Sequence, residues 1–200
     1  MKITKVEPFQ VEWGEPGKSS RGAFLRIETE DGSFGLGEAS PMEGGFASLA
    51  ILHKHMAPFL LGKDALDHAV LCEQLIHKLV KLGPEGAVTG ALAAIDIACW
   101  DLKGKLAGLP VHKLLGGAWR TQLPFYASIG GNAARTVDET VRVVERRVAK
   151  ERPAAVKIRW DGDRTKVDAD IPGDIAKARA VRKLLGDDFV IGFDANNGYS

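Results

Sequence analysis

The sequence predicts an α+β domain over residues 1–120, followed by the opening units of a parallel α/β barrel over residues 121–200. Three observations predict it. Residues 2–12 and 23–39 alternate apolar and polar positions as strands do. Apolar positions at helical spacing then fill the stretch from Asp64 to about Gly117. Beyond that, strand-like runs begin at 123, 154 and 189, about 31 and 35 residues apart. A closed eight-unit barrel averages ~31 residues per strand–helix unit.

Each element has its own local signal. AFLRIETEDGSFGLGEA reads as a hairpin, with Asp31-Gly32 as a type I′ turn. Trp13 to Gly22 and Pro41 to Phe46 have the Gly, Ser and Pro content of loops. In DALDHAVLCEQLIHKLV, Asp64 is placed to cap a helix whose apolar set is Leu66, Ala69, Val70, Leu75, Ile76, Leu79 and Val80. GAVTGALAAIDIACWDLKGKLAG carries little side-chain bulk, so neighbours can approach it closely, and Asp96 and Asp101 read as structural carboxylates within it. LPFYASI, AAVKIRW and FVIGFD are the three later strands. A capping box (Thr136, Glu139) opens the helix after the first, and Pro172 and Gly186 bracket the helix after the second. Strands separated by helices pair in parallel, so all three send their C-terminal ends to one rim.

Composition sets limits. A formal net charge of +1, with 45% hydrophobic and 26% charged residues, excludes a dedicated nucleic-acid binder. No apolar run approaches the ~20 residues that span a bilayer, and the N-terminus lacks a secretion signal. Cys72 and Cys99 fall in apolar helical patterns, which suits buried reduced thiols and a cytoplasmic setting. His53, His55, His68, His77 and His112 read as surface or capping residues.

The candidate chemistry lies on the rim. Lys157 and Arg159, two apart on one strand, point the same way. Asp194 ends the next strand and Asn196 follows. A carboxylate there suits a hard cation such as Mg²⁺, and two cations beside it suit an anionic substrate. A plain reading stands alongside: Asp-Ala-Asn-Asn-Gly as a turn, with Lys157 and Arg159 as surface charge.

The sequence resembles the mandelate racemase and muconate-lactonising group of the enolase superfamily. GLGEAS, GALAAIDIACWDLKGKLAGLPVHKLLGG, VKIR and FDANNGY carry the likeness, in that order along the chain. The resemblance implies an α+β N-terminal capping domain followed by a (β/α)7β TIM-like barrel. It also implies Mg²⁺ as cofactor and removal of the proton α to the carboxylate of a small-molecule substrate. Asp194 would be the first metal ligand, Lys157 would help neutralise the substrate carboxylate, and Asn196 would line the rim. Trp13 and Glu43 would lie in the two capping-domain loops that close over substrate. Homo-oligomerisation is implied by the family alone.

One position departs. Where many relatives carry a second lysine as base, Arg159 stands here, and a guanidinium stays protonated at neutral pH. Racemisation wants a base on each face, so the loss favours dehydration of a sugar acid to a 2-keto-3-deoxy acid. The alternatives are a racemase, epimerase or cycloisomerase of the same family, and a non-catalytic α/β binding module. Three strands leave a barrel open, so the chain is expected to be the N-terminal portion of a longer enzyme, with the other metal carboxylates and a His–Asp base further on.

Overall fold

The computed structural model describes residues 1–15, 20–39, 42–83, 85–163 and 165–200, with the backbone alone at 42 and 43. They form two compact units, Met1–Trp119 and Arg120–Ser200, each with its own hydrophobic core.

The first unit is an antiparallel sheet of β1 (Ile3–Trp13), β2 (Ser20–Thr29) and β3 (Phe34–Glu38), in that order, packed against helices. Central strand β2 buries Ala23, Leu25, Ile27 and Thr29, the period of two that turns alternate side chains to one face. The hairpin turn differs from the type I′ expectation. Gly32 alone has positive φ (83°), its N–H donates to Thr29 O, and the Thr29 N–H donates to Ser33 O. Glu30 and Asp31 therefore keep ordinary backbone, and the loop is a type I turn closed by a left-handed glycine. Asp31 favours this form: its carboxylate accepts from Thr29 Oγ1 (2.7 Å) and from the Ser33 N–H (3.1 Å).

Two loops are shorter than the composition suggested. β1 and β2 pair as far as Trp13 with Ser20, so Trp13 and residues 20–22 belong to strands. Residues 42–45 form a 3₁₀ turn, and Phe46 already opens a helix. A helical run follows where no element was expected: α1 (Phe46–Ile51), a π-helical turn (Leu52–Met56) and α2 (Ala57–Leu60). Pro58 accounts for the π turn. It has no N–H to give, and its ring collides with the carbonyl four residues back, so the ladder widens just before it.

Asp64 accepts from the Leu66 N–H at 2.9 Å and caps a 3₁₀ turn (Ala65–Asp67) that leads into α3 (His68–Leu79). The buried face of α3 is His68, Leu71, Leu75 and Leu79, whereas Leu66, Val70 and Ile76 stay exposed. The apolar set expected from sequence was thus turned by about one position. His68 is buried rather than a surface residue. Nδ1 accepts from Lys103 Nζ at 2.6 Å, which leaves Nε2 to donate to Asp96 Oδ1 at 3.2 Å. Burial, followed by the Lys103 charge, lowers its pKa, so the ring stays neutral. Cys99 is buried and Cys72 partly so, and loss of solvent raises their thiols to about 12 and about 11.

Helix α4 (Ala87–Ala107) lies directly on β3. Its small residues permit this, together with two glycines facing it. A Cβ on Gly35 would stand 1.9 Å from Ala98 O, and one on Gly37 1.9 Å from Ala94 O. Each glycine instead turns a Cα–H toward a helix carbonyl, a weak hydrogen bond. Asp101 completes the clamp by accepting from the Leu36 N–H (2.8 Å) and Lys105 Nζ (2.6 Å). After α4 a short helix α5 (Val111–Leu114) closes the unit.

The second unit runs β4 (Tyr126–Ile129), α6 (Val137–Glu151), β5 (Ala155–Arg159), α7 (Ile171–Leu185) and β6 (Val190–Asp194). The strands pair in parallel in the order β4-β5-β6. Ala127, Ile129, Val156 and Ile158 turn to the helices and bury against Val144 of α6 and Val181 of α7. Full burial of each large aliphatic side chain contributes roughly 1.5–3 kcal/mol. The capping box is present: Thr136 Oγ1 accepts from the Glu139 N–H, and Glu139 accepts from the Thr136 N–H at 2.8 Å. Thr136→Ala is expected to lower stability by ~1 kcal/mol. Urea unfolding of the two proteins checks this, and an unchanged midpoint would count against the cap.

Candidate active site

Because Val156, Ile158 and Trp160 face the helices, strand alternation turns Lys157 and Arg159 to the opposite face. Parallel register sets Arg159 beside Asp194 and Lys157 beside Gly192, so the three charged groups meet at one end of the sheet. Lys157 Nζ donates to Asp194 Oδ2 at 3.0 Å and sits 5.6 Å from the centre of the Tyr126 ring. That hydrogen bond is the first cause that lowers the Asp194 pKa, ahead of the Asn196 N–H, and it raises that of Lys157. Both groups are therefore charged at neutral pH.

The turn after β6 is real, and it serves the carboxylate. Asn196 (φ 49°) and Asn197 (φ 62°) are left-handed, a conformation asparagine tolerates. The Asn196 N–H donates to Asp194 Oδ1 at 3.0 Å, which fixes one oxygen and leaves the other to Lys157. Reading the segment as a turn and reading it as a ligand are thus compatible.

Sequence reasoning missed three residues here. Asp161 accepts from Asn196 Nδ2 (3.0 Å) and the Gly131 N–H (2.6 Å), and its Oδ1 lies 2.5 Å from Arg159 Nε. Asn132, fully buried, donates through Nδ2 to Ile129 O (2.6 Å) and Arg159 O (3.0 Å), tying the ends of β4 and β5. Gly130 leaves the space that Asp161 and Arg159 fill. A signal for Asp161 existed: the count of two that links 157 with 159 continues to 161. Asn132 and Gly130 had none, since glycine and asparagine between strand and helix look like ordinary loop.

Trp13 ends β1, half-exposed, in the first unit, and the Glu43 side chain lies outside the described residues. Among the described residues no cluster of three or more His, Cys, Asp or Glu could hold a metal by itself. Asp194 does fit a hard cation as a single oxygen ligand, since it is charged, partly exposed and anchored through its other oxygen.

A D-mannonate dehydratase of Caulobacter vibrioides is 40% identical over 117 residues, which are 58% of this chain and 28% of that protein. A mandelate racemase/muconate lactonizing protein from Paracoccus denitrificans, solved with magnesium, is 68% identical with a TM-score of 0.94. The match covers 100% of this chain and 52% of that one. The 3,6-anhydro-D-galactonate cycloisomerase of Zobellia galactanivorans is 29% identical with a TM-score of 0.80, again covering 100% of this chain and 52% of the other. The chain thus spans about half of the solved relatives and under a third of the curated one. The N-terminal domain model of the mandelate racemase / muconate lactonizing enzyme family matches residues 2–116, and the parallel sheet that follows is the start of the barrel in that fold. By this match over more than half its length, the chain belongs to the mandelate racemase / muconate lactonizing enzyme family of the enolase superfamily.

Proposed function

We propose that this chain supplies the first metal ligand and two substrate-facing cations of a Mg²⁺-dependent enzyme that dehydrates a sugar acid. One observation carries the reading: Lys157, Arg159 and Asp194 share the strand face turned away from the helices, with Lys157 within 3.0 Å of Asp194. The dehydratase relative and the magnesium-bound neighbour support the substrate class and the metal. Asp194 would hold Mg²⁺, and the ion when bound supplies positive charge against the substrate carboxylate. Lys157, charged and next to Asp194, is placed to neutralise that same carboxylate. Arg159 keeps its proton, so it binds an oxygen of the substrate and leaves proton removal to another group. Loss of the α-proton, followed by departure of the neighbouring hydroxyl, gives an enol that becomes the 2-keto-3-deoxy acid. The two thiols suit a reducing cytoplasm.

A second reading within the family rests on the cycloisomerase neighbour. The test incubates the intact protein with Mg²⁺ and a panel of aldonic and aldaric acids in deuterated water. Dehydration predicts a 2-keto product that semicarbazide traps and that EDTA abolishes. Recovery of α-deuterated, inverted acid without keto product would defeat it in favour of racemisation or epimerisation. A ring-opened or ring-closed isomer would favour cycloisomerisation.

A further inference from the structure

We propose that Asp161 is a positioning residue that holds the Arg159 guanidinium in place before substrate arrives, an inference that rests on the proposed role of Arg159. One carboxylate gathers groups from the ends of all three strands of the second unit: the Gly131 N–H after β4, Arg159 of β5, and Asn196 after β6. Both of its oxygens are engaged by these donors, so Asp161 acts as an acceptor within the scaffold and not as a base.

The division of the Arg159 side chain is informative. Nε is closed off from solvent, and its contact with Asp161 is a close ion pair rather than an aligned hydrogen bond. The side chain as a whole is 43% exposed. Asp161 therefore takes the Nε end of the guanidinium, while the side chain as a whole stays open to a ligand. A fork held this way presents fixed donors to a carboxylate or hydroxyl, and the side-chain freedom has been given up before binding.

Gly130 adds an independent observation. Its backbone is outside the left-handed region, so conformation does not require glycine there. Space does: a Cβ would stand 2.3 Å from Asp161 Oδ2 and 2.9 Å from Arg159 Nη2. The residue is cut to the size of the pair, and Asn132 fixes the Arg159 carbonyl behind it.

The test uses the intact, Mg²⁺-loaded protein with Asp161→Asn, Arg159→Met and the double variant. Asp161→Asn is expected to lower kcat/KM for the sugar acid turned over by wild type ~10–100-fold, mainly through KM. In the Arg159→Met background the same change should cost no more than about twofold, because the two residues act as one unit. Equal costs in both backgrounds would overturn the proposal. A second readout needs no substrate. NMR exchange of the Arg159 Nε–H with water should quicken ~10-fold or more in Asp161→Asn. Gly130→Ala, which keeps both charges, should quicken it too and stands in if Asp161→Asn does not fold. Exchange unchanged from wild type would sink the positioning role even if every sugar acid proved inert, an outcome that would count against the dehydratase reading alone.

Discussion

Asp194→Asn is expected to weaken Mg²⁺ binding by the intact protein ~100-fold or more and to bring turnover down by at least as much. The substitution keeps shape and removes charge. An asparagine can still accept from the Asn196 N–H, as Oδ1 now does at 3.0 Å, so the turn survives. What disappears is the anionic oxygen, and Mg²⁺ gives up bound water reluctantly for a neutral amide. Lys157→Met supplies the contrast. Lys157 Nζ sits 3.0 Å from Asp194 Oδ2, where it competes with a cation, so its removal should abolish turnover without weakening Mg²⁺ binding. Titration calorimetry with Mg²⁺ and the keto-acid assay read both variants. Wild-type Mg²⁺ affinity in Asp194→Asn, or an equal loss in Lys157→Met, would refute the assignment.

The pH dependence follows from the same pair. The Asp194 carboxyl, lowered chiefly by Lys157, favours the folded state above its ordinary value of about 3.9, and that contribution fades as pH falls through the lowered one. Lys157, raised by Asp194, contributes below about 10.4 and loses this as pH rises through the raised value. Metal binding needs the ionised carboxylate, so Asp194 should impose no break in Mg²⁺ affinity between about pH 5 and 9.

Legibility in the sequence tracked how local each cause was. The second unit was clear because capping at Thr136, alternation in Ala155–Arg159 and the stop at Gly186 are written within a few residues. Parallel pairing then forced Lys157, Arg159 and Asp194 together, since register and alternation leave them no other face. The helical run from Phe46 to Leu60 left no clear signal because Gly44 and Gly45 precede it and Pro58 interrupts it, whereas a π turn absorbs the proline. Asp161 escaped for a related reason. Its partners, Gly131 and Asn196, are 30 and 35 residues away and meet it only once the sheet has formed.

The largest expected effect on stability lies in the first unit, at Gly37. Gly37→Ala should destabilise it by ~3 kcal/mol or more, at the upper end of what overpacking costs. The obstacle is a backbone atom: a Cβ would stand 1.9 Å from Ala94 O and 2.8 Å from Ala98 N. No rotamer change relieves that, so β3 and α4 must move apart. Separation would loosen the core cluster that includes Leu25, Ile95 and Leu102, all fully buried, and would stretch the Leu36 N–H bond to Asp101. Gly192→Ala makes the control. It too lies in a strand, yet its Cβ would meet nothing nearer than 3.8 Å, so its melting temperature should stay close to wild type. Thermal unfolding of the three proteins decides the matter: a fall of roughly 6–12 °C is expected for Gly37→Ala alone. Equal melting of Gly37→Ala and wild type would mean that close approach of strand to helix does not hold this unit together.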